Sequence, residues 1–582
     1  MNQLRMKGPV LLRLLCLTAL WCGHWNSLPT RARTPLEASP RSGAPLQQLS
    51  PDGQASLRAI LHAGSLSDLR WPDFTDYSKH LQKFYDSYGY SLPWVSGVGG
   101  MAPTAQAQQI ISLLLEADQK GLSAEDYDGP RWAARVAKFK SSAPRPSEAD
   151  AVRFDLALTV CAMRYISDLH IGKVNPKHLE FNLDVESKKY DLPEFLKDNV
   201  VSSSNVPGVL AQVEPPYPGY HRTLQALQTY QELAKKSDSK PLPAIGKTVA
   251  PGDSYVGVPQ LIRFLRLVGD LPASANVPAE ETVYRGPLVD AVKSFQRRHG
   301  RDPDGRISAQ ILADLNVPLS NRVRQLELTL ERWRWLPAAP RGALIVANIP
   351  EFRLRAYDEN LKLALTMNVV VGKAYGHNTP VFQQRMEYVV FRPYWNVPSS
   401  IARAELAPHI ARDPDYLAKK GLEVVNNRGE VITSGTVTSA LLNEIRAGKL
   451  FVRQKPGPQN SLGLAKFIFP NDFNVYMHGT PAQELFSKSR RDFSHGCIRL
   501  ERPVDLAVWV LRDNPGWNMA RVEEAMSGTS TQQVNLAHPI PVFILYGTAV
   551  VPEDGLIYFF DDIYGHDAAL EKVLEKGYPF PG

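Results

Sequence analysis

The chain has 582 residues, 44% of them hydrophobic and 21% charged, enough to build several packed domains. Its formal charge of +7 is concentrated at the start, where Arg5, Lys7, Arg13, Arg31 and Arg33 stand in 33 residues without an acidic one, leaving +2 for the remainder. That near-balance, with no basic stripe and no block of like charge, argues against nucleic acid as the main partner and against a charged interaction tail.

Residues 1–33 read as a targeting segment. Three basic residues precede "LLCLTALWC", an apolar run ending at Cys22 that is too short to span a bilayer and fits the core of a secretory signal. Thr30 and Ala32 form a small-x-small pair at which a signal could be cut; an uncleaved N-terminal anchor is the alternative and the only expected membrane contact. Trp21 argues against lipidation of Cys22. The expected location is outside the cytoplasm, periplasmic or cell-wall-associated in a Gram-negative type of envelope.

Residues 34–250 are expected to be a Pro/Ser/Ala-rich linker, to about residue 50, followed by a helical scaffold. "AQAQQIISLLLEADQKGLSAEDY" places Ile110, Leu113, Leu114 and Ala117 on one face, and "SEADAVRFDLALTVCAMRYISDLH" opens with a Ser147-x-x-Asp150 cap-like start. No catalytic spacing occurs here. A second unit spans 251–318, with two short helices around the turn residues Asp302, Asp304 and Gly305; Val292, Phe295 and Gln296 lie on the first, which ends near Gly300, and Ser308 begins the second. The Asp-rich loop lacks EF-hand spacing and a closing Glu. The stretch "AVKSFQRRHG…DGRIS" resembles the small three-helix peptidoglycan-binding module of bacterial wall enzymes.

A connecting helix is expected at 319–341. From residue 342 to 513, runs such as "ALIVANIPEFRLRAYDE" and "MEYVVFRPYWNVP" carry strand signals at short spacing and predict a mainly β domain. Residues 399–462 interrupt that pattern and are long enough to form a lid. Within them "ARDPDYLAKKG" predicts a short helix with Asp413 as N-cap, Pro414 at N1 and Gly421 past its end, and Asn427-Arg428-Gly429 predicts a turn. Residues 514–582 form a C-terminal extension with two further strand-like runs.

Cysteine usage is sparse. Cys16 and Cys22 belong to the leader; Cys161 reads as a buried small hydrophobe, and a Cys161–Cys497 bridge is disfavoured. Cys497, in "FSHGCIRLERP", is then an unpaired thiol in an oxidising compartment, a hazard unless it has a role. In "FNVYMHGT", period-2 alternation puts Asn474, Tyr476 and His478 on one face, and Cys497 follows His478 by 19 positions. A histidine can supply the base that a thiol near pKa 8.5 needs, and Arg499 adds positive potential. Gly496 leaves the nucleophile open, and the Gly496 and Cys497 N–H groups are candidates for an oxyanion hole. His478, His495 and Cys497 would give a metal three ligands, but no fourth is evident nearby, and no metal is expected. Trp395 in "FRPYWNVPSS" is either core or a substrate platform.

Together "HGT…SHGCIRL" resembles the signature of the L,D-transpeptidases, the YkuD-type catalytic domain. "FRPYWNVPSSIA", "PGPQNSLGLAKFIFPND" and the tail "PVFILYGTAVVPEDGLIYFFDDIYGHD" resemble the larger YcbB-type subgroup. The resemblance implies a multidomain α+β protein: a helical scaffold, a small three-helix peptidoglycan-binding module and a mainly β YkuD-type catalytic domain with a capping insertion. It implies formation of 3-3 peptidoglycan cross-links through a thioester on a tetrapeptide stem, with release of D-alanine and no cofactor. Carried over, Cys497 is the nucleophile and His478 the base; Ser494 and His495 orient the site, and Gly496 with Cys497 holds the oxyanion. Arg499, Tyr476 and Trp395 are substrate-contact candidates. Stem peptides are the expected partners, with wall synthases and carboxypeptidases supplying tetrapeptide. An L,D-carboxypeptidase using water, attachment of a wall lipoprotein through the same acyl-enzyme, a zinc peptidase and a non-catalytic wall-binding scaffold are the alternatives.

Overall fold

The computed structural model describes residues 46–97, 100–141, 145–238, 240–337, 342–374, 376–413 and 415–580. The expected signal or anchor at 1–33, most of the linker at 34–50 and Pro414 lie outside these residues. Among the described residues no helix is long and apolar enough to cross a membrane.

The scaffold is built around helix α1, Glu148–Ile171. Its first turn closes as a capping box: the Ser147 hydroxyl accepts from the Asp150 N–H, and the Asp150 carboxylate accepts from the Ser147 N–H. Leu156, Val160, Cys161 and Ile166 are all buried because shorter helices surround α1, as its apolar composition demands. Asp155, also buried, accepts from the Tyr85 hydroxyl and the Trp94 N–H. A small sheet of Leu46–Gln47, Leu92–Ser96 and Ala102–Pro103 completes this mostly helical unit.

Three helices, Val258–Leu267, Pro287–Arg298 and Ala309–Leu315, enclose a separate core of Leu261, Leu265, Val292, Phe295 and Ile311. Gly305 takes φ +71° in the turn between the last two, and Ser308 caps the third. Helix α2, Leu319–Arg334, is far more than a connector. Its Leu326 and Leu330 share a core with Tyr220 and Leu227 of the scaffold and with Leu344 and Phe543 of the β domain.

The β domain consists of β1 (Leu344–Asn348), β2 (Arg353–Tyr357), β3 (Leu363–Gly372), β4 (Phe382–Phe391), β5 (Ala465–Ile468), β6 (Met477–His478), β7 (Asp492–Ser494), β8 (Ile498–Leu500) and β9 (Gln532–Leu545). The sheet order is β7-β3-β8-β6-β5-β4-β9-β1-β2, and β2 pairs with β3 to close a barrel. Closure leaves few free edges and puts Ile345, Val369, Val389, Phe467 and Ile498 into one interior. The domain boundary expected at residue 513 therefore falls inside the folded unit. Strand β9 lies between β4 and β1, and Leu570 of the tail helix His566–Leu574 joins the barrel core.

The insertion expected at 399–462 begins slightly earlier. Strands Val431–Thr433, Leu422–Val425, Phe451–Gln454 and Trp395–Asn396 form an antiparallel sheet in that order. Ala407, Leu417, Val424, Ile445 and Val452 give it a core of its own. The helix expected around Asp413 shrinks to Tyr416–Lys419, with the Asp413 carboxylate bonded to the Asp415 N–H and Lys419 Nζ.

A Cβ added to Gly121 of the scaffold would lie 2.8 Å from a Leu330 methyl, so α2 sits directly on the scaffold there. Leu330→Ala should cost about 3 kcal/mol, as buried Leu truncations do. Chemical denaturation followed by tryptophan fluorescence should show the lowered midpoint.

Candidate active site

Strands β6 and β8 run parallel and side by side, with His478 opposite Arg499 and Met477 opposite Ile498. The Ile498 N–H donates to Tyr476 O, which sets Tyr476 beside Cys497. On the other flank of β6, β5 places Lys466 opposite His478. Because cross-strand partners share a face, Lys466, His478 and Arg499 form one row, with Tyr476 and Cys497 in the next. The alternation expected for Asn474 fails: Asn474 has φ +55°, strand β6 is only two residues long, and the Asn474 carbonyl turns to accept from the Cys497 thiol at 3.8 Å.

The turn from Ser494 to Cys497 is held by polar clamps. Ser494 Oγ donates to Cys497 O at 2.6 Å and accepts from the Gly496 N–H at 3.1 Å. Gly496 adopts φ +113°, a conformation other residues rarely take. Of the two amides expected to hold an oxyanion, that of Gly496 is thus already engaged by Ser494; no described hydrogen bond uses the Cys497 N–H. Thr379 Oγ1 donates to Gly496 O at 2.7 Å and accepts from the Gly372 N–H at 2.9 Å. The Tyr564 hydroxyl accepts from the Thr379 N–H and donates to Gly372 O. A C-terminal tyrosine therefore braces the turn.

His478 is buried, and its Nδ1 lies 2.5 Å from Gly479 O. A carbonyl only accepts, so Nδ1 carries the hydrogen and Nε2 keeps its lone pair. Burial, then the charges of Arg499 and Lys466, lower the imidazole pKa to about 3, so the ring is neutral at neutral pH. Burial raises the Cys497 thiol, against a Tyr476 backbone hydrogen bond, the Lys466 charge, the Tyr476 hydroxyl and the Arg499 charge, all of which lower it. At rest the Cys497 thiol and the His478 imidazole are both neutral.

His495 does not turn toward the thiol. Its Nε2 is 2.6 Å from Glu405 Oε1 of the insertion, and its ring packs edge-on against His377. Trp395 belongs to the insertion's sheet opposite Gln454 and packs on that unit's core; no described contact joins it to Cys497. Arg499 forms no described ion pair; Glu501 bonds the Asn368 N–H and side-chain amide instead. Among the described residues no group of three or more His, Cys, Asp or Glu side chains is placed to hold a metal ion. A cavity of about 540 Å³ lies elsewhere, between the three-helix unit and the barrel, lined by Arg297, Arg353 and Lys488 among others.

Lys466, Thr379, Tyr564 and Glu405 are the site neighbours that sequence reading missed. Only Lys466 carried a local signal, a lone cation in the otherwise apolar "AKFIF".

A family model described as the L,D-transpeptidase catalytic domain, YkuD, matches residues 342–544. The chain carries a YkuD-family L,D-transpeptidase catalytic domain. A second model, described as a scaffold domain, matches residues 79–227. A Haemophilus influenzae protein whose name assigns it provisionally to the L,D-transpeptidases is 31% identical over 251 residues, 43% of this chain. The match spans about half of that relative's length, 50%. The crystal structure of an L,D-transpeptidase from Stackebrandtia nassauensis aligns with 52% of this chain and 97% of its own at 12% identity, with a TM-score of 0.21, too low to argue from. In this YkuD domain the barrel, not the insertion, supplies Cys497 and His478.

Alkylation by iodoacetamide follows the thiolate. With the thiol pKa raised, the Cys497 rate should climb through pH 9 with no plateau near neutrality, read by peptide mapping. Cys161, buried in the scaffold, should stay unmodified until the protein unfolds.

Proposed function

We propose that this protein is an exported L,D-transpeptidase that joins peptidoglycan stems by 3-3 cross-links. The observation that carries the reading is the placement of His478 on β6 and of Cys497 immediately before the parallel neighbouring strand β8 of a YkuD domain. Sγ attacks the third residue's carbonyl carbon, in the amide that joins it to the terminal D-alanine of a donor tetrapeptide, while His478 Nε2 takes the thiol proton. The carbon–nitrogen bond breaks, the proton passes to the departing amine, and D-alanine leaves a thioester on Cys497. The side-chain amine of another stem then attacks the thioester, loses its proton to His478, and the thiol is restored.

Several features support the details. The unengaged Cys497 N–H is available to a developing oxyanion, and the Tyr476 hydroxyl beside the sulfur is a second donor to the same region. Arg499, which has no ion pair among the described residues, suits a stem carboxylate. Amide-to-amide exchange through a thioester needs no nucleotide and no cofactor, which fits a compartment lacking ATP. On this reading the three-helix unit holds the wall polymer, and the enzymes that trim pentapeptide stems to tetrapeptides supply the donor.

Purified protein with disaccharide-tetrapeptide should yield a dimer lacking one D-alanine, and mass spectrometry should catch the acyl-enzyme on the peptide containing Cys497. Cys497→Ala should abolish both, and tripeptide as the only product would mean that water is the acceptor. His478→Asn should lower kcat by about 10²–10⁴, the usual worth of a general base. Thr379→Val removes the brace on Gly496 and should lower kcat about tenfold, the scale of a lost hydrogen bond or two, with little change in KM.

A further inference from the structure

The row Lys466–His478–Arg499 puts a cation on each side of the histidine. Lys466 Nζ stands 3.8 Å above the centre of the Tyr476 ring. Neither cation has a carboxylate partner among the described residues. Glu484, the acidic side chain whose charge reaches Arg499, makes no ion pair with it. The other groups acting on His478 are uncharged: the carbonyls of Gly479 and Leu462, and the Tyr476 ring with its centre 5.7 Å away. Half-buried cations without counter-ions are costly, and such an arrangement is completed most economically by an anion from outside.

We propose that Lys466 and Arg499 form a carboxylate-reading pair that makes His478 a competent base only when an anionic group of the substrate lies beside Cys497. This rests on the roles given above to Cys497 and His478. Its physical basis is the potential at the imidazole. Two neighbouring positive charges oppose a third on the ring, and a bound carboxylate cancels part of that opposition, so the ring accepts the thiol proton more readily. The same carboxylate orients the donor, so a substrate whose terminal residue carries a free carboxylate gains in kcat as well as in KM. A neutral end leaves the ring suppressed. Burial draws the lysine toward its neutral form, and a bound anion would restore its full charge. Lys466 acts here through His478 and the substrate carboxylate and is a positioning residue.

Iodoacetate and iodoacetamide test the pair without turnover. Each forms a sulfur–carbon bond and releases iodide, and they differ in carrying a carboxylate or a neutral amide. At pH 7 the intact chain should be alkylated at Cys497 by iodoacetate about tenfold faster than by iodoacetamide, the scale of one charged hydrogen bond. Lys466→Met should bring the ratio near one or below it, and Lys466→Arg should keep most of it, with both variants melting near the parent temperature. Faster reaction with iodoacetamide in the parent, or an unchanged ratio in Lys466→Met, would overturn the proposal. In turnover, disaccharide-tetrapeptide should exceed its terminal carboxamide in kcat, and Lys466→Met should narrow that gap. If neither donor is turned over but the alkylation ratio behaves as described, the transpeptidase reading fails and the carboxylate-reading pair stands.

Discussion

Helix α2 carries three charged side chains that have to be satisfied inside the protein, and the arrangement of the other parts follows from how this is done. Glu331 accepts the N–H groups of Lys173 and Val174 in the scaffold at 2.6 and 2.9 Å. Arg334, fully buried, donates to Lys120 O of the scaffold, and Arg332 pairs with Asp567 of the C-terminal tail at 2.5 Å. Removing one partner of a buried ionic contact leaves a charge that water cannot reach, at a cost of about 3–5 kcal/mol. Scaffold, barrel and tail are therefore held to one another by contacts that tolerate little displacement, while the apolar face of α2 supplies the bulk of the adhesion.

That constraint reaches the candidate site through ordinary hydrogen bonds. Asp567 also accepts from the Thr548 hydroxyl, and its own N–H donates to Asp562. Asp562 accepts the Tyr546 hydroxyl, whose oxygen in turn accepts the Tyr564 N–H. Tyr564 then meets Gly372 and Thr379, and Thr379 holds the Gly496 carbonyl. The tail is thus a structural part of the barrel. Its Tyr546 and Tyr564 supply the phenols of this chain of hydrogen bonds, and Asp562 and Asp567 the carboxylates.

The chemistry around Cys497 shows the same economy. A permanently charged thiolate would be open to oxidation, and a charged imidazole could not serve as base. Burial keeps both neutral, while the cations on either side leave a place for negative charge to arrive. The insertion touches this region through Glu405 and His495, a contact of exposed groups between a separately cored unit and the turn from Ser494 to Cys497. It bears on the turn from outside.

The sequence by itself determined the local pieces: the capping box at Ser147, the turn glycines of the three-helix unit, the strand-rich character after residue 342, and the pairing of a histidine with a glycine-flanked cysteine. Each is legible because its cause lies within a few residues, in side-chain periodicity, a cap or a permitted backbone angle. The tertiary structure alone decided that β9 lies within the barrel between β4 and β1, that Asn474 leaves the strand, that Ser494 takes the Gly496 amide, and that His495 faces the insertion. It alone brought Lys466, Thr379 and Tyr564 to Cys497. These depend on strand register and on contacts spanning up to a hundred residues or more, and Thr379 and Gly496 are 117 positions apart. A one-residue change of register would send Lys466 to the other face of the sheet, and nothing in its immediate neighbours records which register the barrel selects.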